Sequence, residues 1–214
     1  MECCGCDGYA TPFDPEEARR DRERYHAEGP DETTRMLLDM IGSEATDGAT
    51  LLDIGGGIGV IDLELLRRGA SQAVLVDASP AYLAAAREEA SDAGLLDRWQ
   101  IVAGDFVRHA DSVATADIVT LDRVVCCYRD VDELVPASAA HARRLYGLVL
   151  PRDRWYVRWL IRLDNVRYRL ERRAYRAYAH ANDRVDEHLR TAGLRPRSEA
   201  FTTFWRVVLY ERAD

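Results

Sequence analysis

The chain has 214 residues, 47% hydrophobic and 31% charged, enough for one domain that buries its core without disulfides or metal. Its formal charge of −8 and isoelectric point near 5.2 argue against broad attraction to phosphate backbones, so nucleic acid is not an expected partner. All 29 basic residues are arginine, which excludes a P-loop lysine, a Schiff-base lysine and a lysine general base.

Residues 1–7, MECCGCD, show neither a basic nor an apolar signal region, and no apolar run approaches the length of a membrane span. A soluble, cytoplasmic chain is expected. Five cysteines fall in two clusters, Cys3/Cys4/Cys6 and Cys126/Cys127, which is not a secreted disulfide framework. Adjacent Cys3 and Cys4 suit one metal site poorly, so the tail reads as reduced and disordered or locally packed, with metal or redox use as the alternative.

Asp14, Pro15 and Glu17 predict a helix N-terminus, running to about Ala27 before Gly29-Pro30. A second helix is predicted from Asp31, with Met36, Leu37, Met40 and Ile41 at helical spacing. Leu51, Leu52 and Ile54 form a short apolar run, interrupted only by Asp53, that reads as a strand covered on both faces. It enters Gly55-Gly56-Gly57-Ile58-Gly59, a turn whose glycines at 55, 57 and 59 permit positive φ and close backbone approach before a helix start. Such a turn also serves simply to bring a helix close to its strand. The dinucleotide fingerprint would require glycine where Val60 stands.

Ile58, Ile61 and Leu65 mark the next helix, and Ala73 to Val76 a second strand ending in Asp77. This is a βαβ unit with an acid placed for the two hydroxyls of a ribose. Ser79-Pro80 is the better helix cap, which leaves Asp77 for a ligand. A third strand, Trp99 to Ala103, leads into Gly104-Asp105-Phe106. A fourth, Asp117 to Leu121, runs into Asp122-Arg123-Val124-Val125-Cys126-Cys127-Tyr128, where the strand order of an open parallel sheet reverses and chemistry is expected. Residues 131–144 predict a helix, Leu145 to Leu150 a fifth strand, and Ala200 to Phe204 with Arg206 to Glu211 a terminal pair.

Between 154 and 178 there is no glycine or proline, and Trp155, Trp159, Leu163, Val166, Leu170 and Ala174 recur at spacings of three and four. This predicts one long amphipathic helix packed by that stripe, with arginines on its other faces. Those arginines read as a solvated face, or as a substrate lid for an anionic acceptor. The same stripe would serve a homodimer through residues 154–178. His180 follows at a helix boundary, where a cap or surface role competes with a catalytic one.

The string D-x-G-x-G-x-G at Asp53 to Gly59 resembles motif I of the class I S-adenosylmethionine (SAM)-dependent methyltransferases. The resemblance spans roughly residues 30 to 212. It implies an α/β fold: a Rossmann-like, doubly wound, seven-stranded, mostly parallel sheet with an antiparallel terminal strand in a three-layer α/β/α sandwich. It implies SAM as cofactor, S-adenosyl-L-homocysteine as product, and a cofactor site of Asp53, Gly55, Gly57, Gly59, Asp77, Ala78, Asp105, Phe106 and Asp122. Asp105 would accept the adenine amine and Phe106 contact its ring. The helices before the first strand would cover the pocket, with Tyr25, His26, Thr33 and Thr34 as candidate lining.

Within the class, FDPEEARRDRERYHAEGPDETTRMLLDMI, the glycine loop and DRVVCCYRD are similar to the magnesium-protoporphyrin O-methyltransferase group, except that Cys127 stands where that group commonly has histidine. The implied organisation is a cysteine-containing tail and cover helix over 1–30, then a methyltransferase domain over 31–214 with 154–180 as a helical insertion. The implied enzyme moves a methyl group to a carboxylate or hydroxyl oxygen of a small anionic aromatic or macrocyclic acceptor, without a metal. Proximity supplies most of the rate, and a hydroxyl acceptor needs a base from Tyr128, His180, Tyr25 or His26. The alternatives are a SAM-binding module without catalysis, a thiol-dependent methyltransferase using Cys126 and Cys127 on a metalloid, and, least favoured, a nicotinamide-dependent oxidoreductase.

Overall fold

The computed structural model describes residues 14–173 and 175–213. The tail cysteines Cys3, Cys4 and Cys6, and Ala174 of the expected stripe, lie outside the described residues. Chain order is α1 (Pro15–Glu28), α2 (Glu32–Ile41), α3 (Ser43–Thr46), β1 (Thr50–Ile54), α4 (Val60–Arg67), β2 (Gln72–Asp77), α5 (Pro80–Asp92), β3 (Trp99–Ala103), α6 (Phe106–His109) and β4 (Ala116–Asp122). Then follow α7 (Val131–His141), β5 (Ala142–Pro151), α8 (Trp155–Leu170), α9 (Asn182–Thr191), β6 (Leu194–Phe201) and β7 (Trp205–Arg212).

The seven strands lie in the order β3-β2-β1-β4-β5-β7-β6. Strands β1 to β5 are parallel, whereas β7 runs antiparallel to β5 and to β6. This is the expected Rossmann-like sheet. Its order reverses between β1 and β4, so a crevice opens beyond the carboxyl ends of those two strands. Two apolar clusters cover its faces. One packs α2, α4 and α5 against the sheet through Leu37, Leu65 and Leu83, and the other packs α7 and α9 through Leu134 and Leu189.

Local chemistry sets several boundaries. Asp14 caps α1 by accepting from the backbone N–H of Glu16 and Glu17, each at 2.9 Å. Ser79 caps α5 with Pro80 at its first turn. The terminal hairpin begins earlier than its apolar pattern predicts, because β6 is an edge strand that tolerates Pro196 and keeps charged Arg195, Arg197 and Glu199 on its exposed positions.

The segment after β5 departs most from expectation. Helix α8 stops at Leu170, and Arg172 takes a left-handed conformation with φ 55°. Residues 175–181 have no regular structure and lie back along α8, pinned by Asn165, whose amide nitrogen donates to Ala177 O at 2.7 Å and whose oxygen accepts from Ala177 N at 2.9 Å. Helix α8 also packs by a different face. Val157 and Ile161 are buried, while Trp155, Trp159, Leu163, Val166 and Leu170 of the predicted stripe are exposed.

Candidate functional site

Beyond the carboxyl ends of β1 and β4 lies a cavity of about 470 Å³. Its floor is the glycine turn. Gly55 and Gly57 have φ of 65° and 60°, and a Cβ on Gly55 would fall 2.6 Å from Val124 Cγ2. These positions need glycine for conformation and for the close approach of the β4 loop. Gly59, expected in the site, does not line the cavity; it is the left-handed cap of α4, and a Cβ there would sit 2.1 Å from the Trp99 ring.

Asp53 lies beneath the turn, buried, with Oδ1 accepting from Thr120 Oγ1 at 2.6 Å. Its Oδ2 and both oxygens of buried Asp62 have no donor among the described residues, so the two carboxyls bond to each other only when one is protonated. Burial pushes Asp53 up to about 7 and Asp62 well above the usual carboxylate range. Gly56 completes this arrangement, since a Cβ there would meet Asp53 Oδ2 at 2.5 Å.

At the end of β2, Asp77 accepts from Gly57 N at 3.0 Å and Ser79 N at 2.7 Å. Burial raises its pKa despite these donors. It therefore ties the glycine turn to the second strand while one edge faces the cavity beside Ala78. Asp105 and Phe106 line the same cavity, and Tyr128 donates its phenol proton to Asp105 at 3.1 and 3.2 Å.

On the β4 side, Asp122 is half-buried and raised by desolvation, against the pull of Arg123. Arg123, with φ 60°, reaches Asp31 at 2.6 Å and Asp122 at 3.0 Å. Against the upward push of burial, Arg123 and Thr34 hold Asp31 below its ordinary value. Thr34 donates its backbone N–H to Asp31 at 3.1 Å and its hydroxyl to Asp122. This network links the start of α2 to the end of β4 over more than 80 residues, and the sequence contains no local signal for it.

Helix α1 closes the other side. Ala18, Ile58, Tyr82 and Ala85 pack together, and Arg22 bridges to Glu88, Glu89 and Asp92 of α5, so Glu17, Asp21, Arg24 and Tyr25 come to line the cavity. The expectation of cover helices is matched in geometry, but the individual candidates separate. Tyr25 donates to Glu64 at 2.7 Å and is raised by burial and that bond, which makes it a poor proton acceptor. His26 faces Glu89 at 2.7 Å outside this cavity. Thr33 bonds Asp31 and does not line it either.

Cys126, Cys127, Tyr128 and Tyr175 form the far wall. Cys127 Sγ lies 3.0 Å from Tyr175 Oη and 3.8 Å from Cys126 Sγ. The bond from Cys126, against burial and with help from Tyr175, holds the Cys127 thiol below its ordinary range, whereas the same pair bond and burial raise Cys126. His180 is absent from the cavity wall: its Nε2 lies 2.9 Å from Tyr128 O and its ring stacks on Tyr178. Its geometry is that of a strut for the Tyr128 loop. No residue of α8 lines the cavity, so the expected arginine lid is not formed by that helix; Tyr175, in the return segment, lines it instead.

The cavity wall carries seven acidic side chains, of Glu17, Asp21, Asp31, Asp53, Asp77, Asp105 and Asp122, against two guanidinium groups, and both of these are paired with acids. Such a wall favours a cationic ligand.

Residues 51–146 match the family model described as a methyltransferase domain, a little under half of the chain. The sheet order and the place of the cavity beyond β1 and β4 are likewise those of the Rossmann-like fold that class I SAM-dependent methyltransferases share. Among solved structures it is similar to magnesium protoporphyrin IX methyltransferase from Synechocystis PCC 6803 with bound SAH, with a TM-score of 0.74 and 16% identity over 97% of this chain and 98% of that one. An O-methyltransferase family 2 protein from Planctomyces limnophilus, in complex with apigenin, superposes with a TM-score of 0.68 and 18% identity over 93% of this chain and 62% of that one. A curated relative, the ribosomal protein L11 methyltransferase of Yersinia pestis, is 26% identical over 116 residues, 53% of this chain but only 39% of that protein.

The cofactor of this class is SAM. The residues present fit it: an acid-lined wall suits a ligand with a sulfonium and an ammonium group, and the glycine turn admits close approach of its backbone.

Proposed function

We propose that the chain transfers the methyl group of SAM to an oxygen atom of a small aromatic molecule, a hydroxyl in preference to a carboxylate. The observation that carries this reading is one continuous cavity, with the glycine turn and its acids at one end and Cys127, Tyr128 and Tyr175 at the other. The bound cofactor supplies the electrophilic methyl group. Asp77 takes the ribose hydroxyls, Asp105 and Phe106 the adenine, and Asp53, Gly55, Gly57, Ala78 and Asp122 surround the remainder.

An anionic acceptor, expected from the arginine-rich segment, gains little from this wall, because Arg123 is neutralised by Asp31 and Asp122 and Arg24 by Asp21. A neutral aromatic acceptor finds Tyr128, Tyr175 and Trp205 to pack on. Its hydroxyl needs a proton acceptor, and Cys127 is the group on the far wall whose proton is loosened. Tyr128, held by Asp105, orients that acceptor.

The test is turnover of radiolabelled SAM with matched phenol and benzoate acceptors. Phenol methylation is expected to fall by roughly 10²-fold or more in Cys127→Ala, while any benzoate turnover is unchanged because a carboxylate is already ionised. Benzoate methylation alone, insensitive to Cys127, favours the carboxylate reading. SAM binding without product across both sets supports a binding module.

A further inference from the structure

Helix α8 has two apolar faces on opposite sides. At 100° per residue, Val157, Ile161 and Tyr168 point one way and pack on the protein. Trp155, Trp159, Leu163, Val166 and Leu170 fall within about 40° of Trp159 on the opposite side. They are 80%, 54%, 45%, 56% and 79% exposed. Five large apolar side chains in one row along roughly 24 Å of helix form a contiguous surface, unlike a scatter of single exposed residues.

The charges beside the row are nearly all positive. Arg158, Arg162 and Arg169 line one flank, and Arg167 stands on the other beyond Tyr156 and Leu160. From residue 152 to 173 there are eight arginines and three acids, in a chain whose formal charge is −8. Arg158 pairs with Asp153 and Arg167 with Glu171, while no acid among the described residues lies within 4.0 Å of Arg162 or Arg169.

This charge pattern selects the occupant. A second copy docked antiparallel through the row would set Arg158, Arg162 and Arg169 against the same three arginines. In parallel docking they would face Tyr156, Leu160 and Arg167, again with no acid opposite. An anionic bilayer surface complements both features: the row enters the acyl boundary and the flanking guanidinium groups meet lipid phosphates. No helix among the described residues is long and apolar enough to cross a membrane, so the contact is peripheral.

We propose that the outer face of α8 docks the protein on an anionic phospholipid surface. This does not depend on the methyl acceptor being an oxygen. It does bear on how acceptors arrive, because the segment after α8 returns directly to the far wall of the cavity, where Tyr178 N donates to Cys126 O at 2.7 Å and Tyr175 meets Cys127. An amphiphilic acceptor dissolved in the bilayer would be delivered beside that wall.

The test is flotation of the full chain with phosphatidylcholine vesicles and with vesicles containing about one-third phosphatidylserine, alongside tryptophan emission. Flotation with anionic vesicles only, a blue shift from Trp155 and Trp159, and release by salt are expected. Trp159→Glu with Leu163→Glu, and separately Arg162→Glu with Arg169→Glu, should each weaken vesicle binding by roughly tenfold or more. Thermal stabilisation by SAH should be retained in both, showing an intact fold. No flotation, equal flotation with neutral vesicles, or binding unchanged in the variants overturns the proposal. So does a dimer in light scattering that Trp159→Glu dissolves while wild-type protein ignores vesicles.

Discussion

The two ends of the cavity are held by different physics. At the glycine turn, the wall residues that follow β1 and β2 are fixed by backbone geometry: Gly55 and Gly57 have positive φ, and Asp77 is anchored by two backbone N–H groups. At the far wall, side-chain contacts between distant segments set the geometry: Tyr128 is held by Asp105 from beyond β3, and Cys127 meets Tyr175 from the segment that follows α8. The first end can be rigid because the sheet's hydrogen bonds precede it. The second depends on a few contacts such as Asn165 with Ala177, and is the end free to differ between enzymes of one fold.

The largest expected break lies in the glycine turn. Gly59→Ala should destabilise the protein by roughly 2–5 kcal/mol in urea unfolding, combining a left-handed backbone cost with a clash against Trp99. Gly94→Ala, equally left-handed but with no atom within 4 Å, should cost only about 1–2 kcal/mol. Equal losses would mean that the Trp99 contact is irrelevant.

Asp77→Ala should weaken SAM binding by roughly 1–3 kcal/mol in titration calorimetry, as for a lost buried hydrogen-bond partner. Undiminished affinity would remove Asp77 from the site. The contrast between the faces of α8 should appear next: Val157→Ala is expected to cost about 2 kcal/mol of stability, and Trp159→Glu within about 0.5 kcal/mol of none. A large loss for Trp159→Glu would mean that the outer face is covered after all.

The smallest effect is a slope. With Asp53 raised to about 7 by burial, the native state holds a proton that the unfolded chain has released. Its contribution is therefore full below about pH 4 and lost as pH rises through about 7. Asp62→Asn gives Asp53 a permanent donor, so thermal unfolding measured from about pH 5 to 8 should decline less steeply in this variant than in wild type. Parallel profiles would show that the two carboxyls do not share a proton.

Some features were determined by the sequence alone because their causes are local. Asp14-Pro15 and Ser79-Pro80 start helices through neighbouring N–H groups, and the glycine string with Asp77 marks a βαβ unit and one edge of the cavity. Nine of the candidate residues, Asp53, Gly55, Gly57, Asp77, Ala78, Asp105, Phe106, Asp122 and Tyr128, line one cavity because strand ends in a parallel sheet converge there, and Tyr25 and Thr34 reach it from α1 and α2. Periodicity also revealed the apolar row of α8, but a period identifies a stripe without stating which side of the helix is covered. Only the tertiary structure decided that Val157 and Ile161 face the protein, that Gly59 serves Trp99, that His180 supports a backbone carbonyl, and that Arg123 joins Asp31 to Asp122. Each of those outcomes depends on which distant segments are brought into contact, and no local residue pattern contains that information.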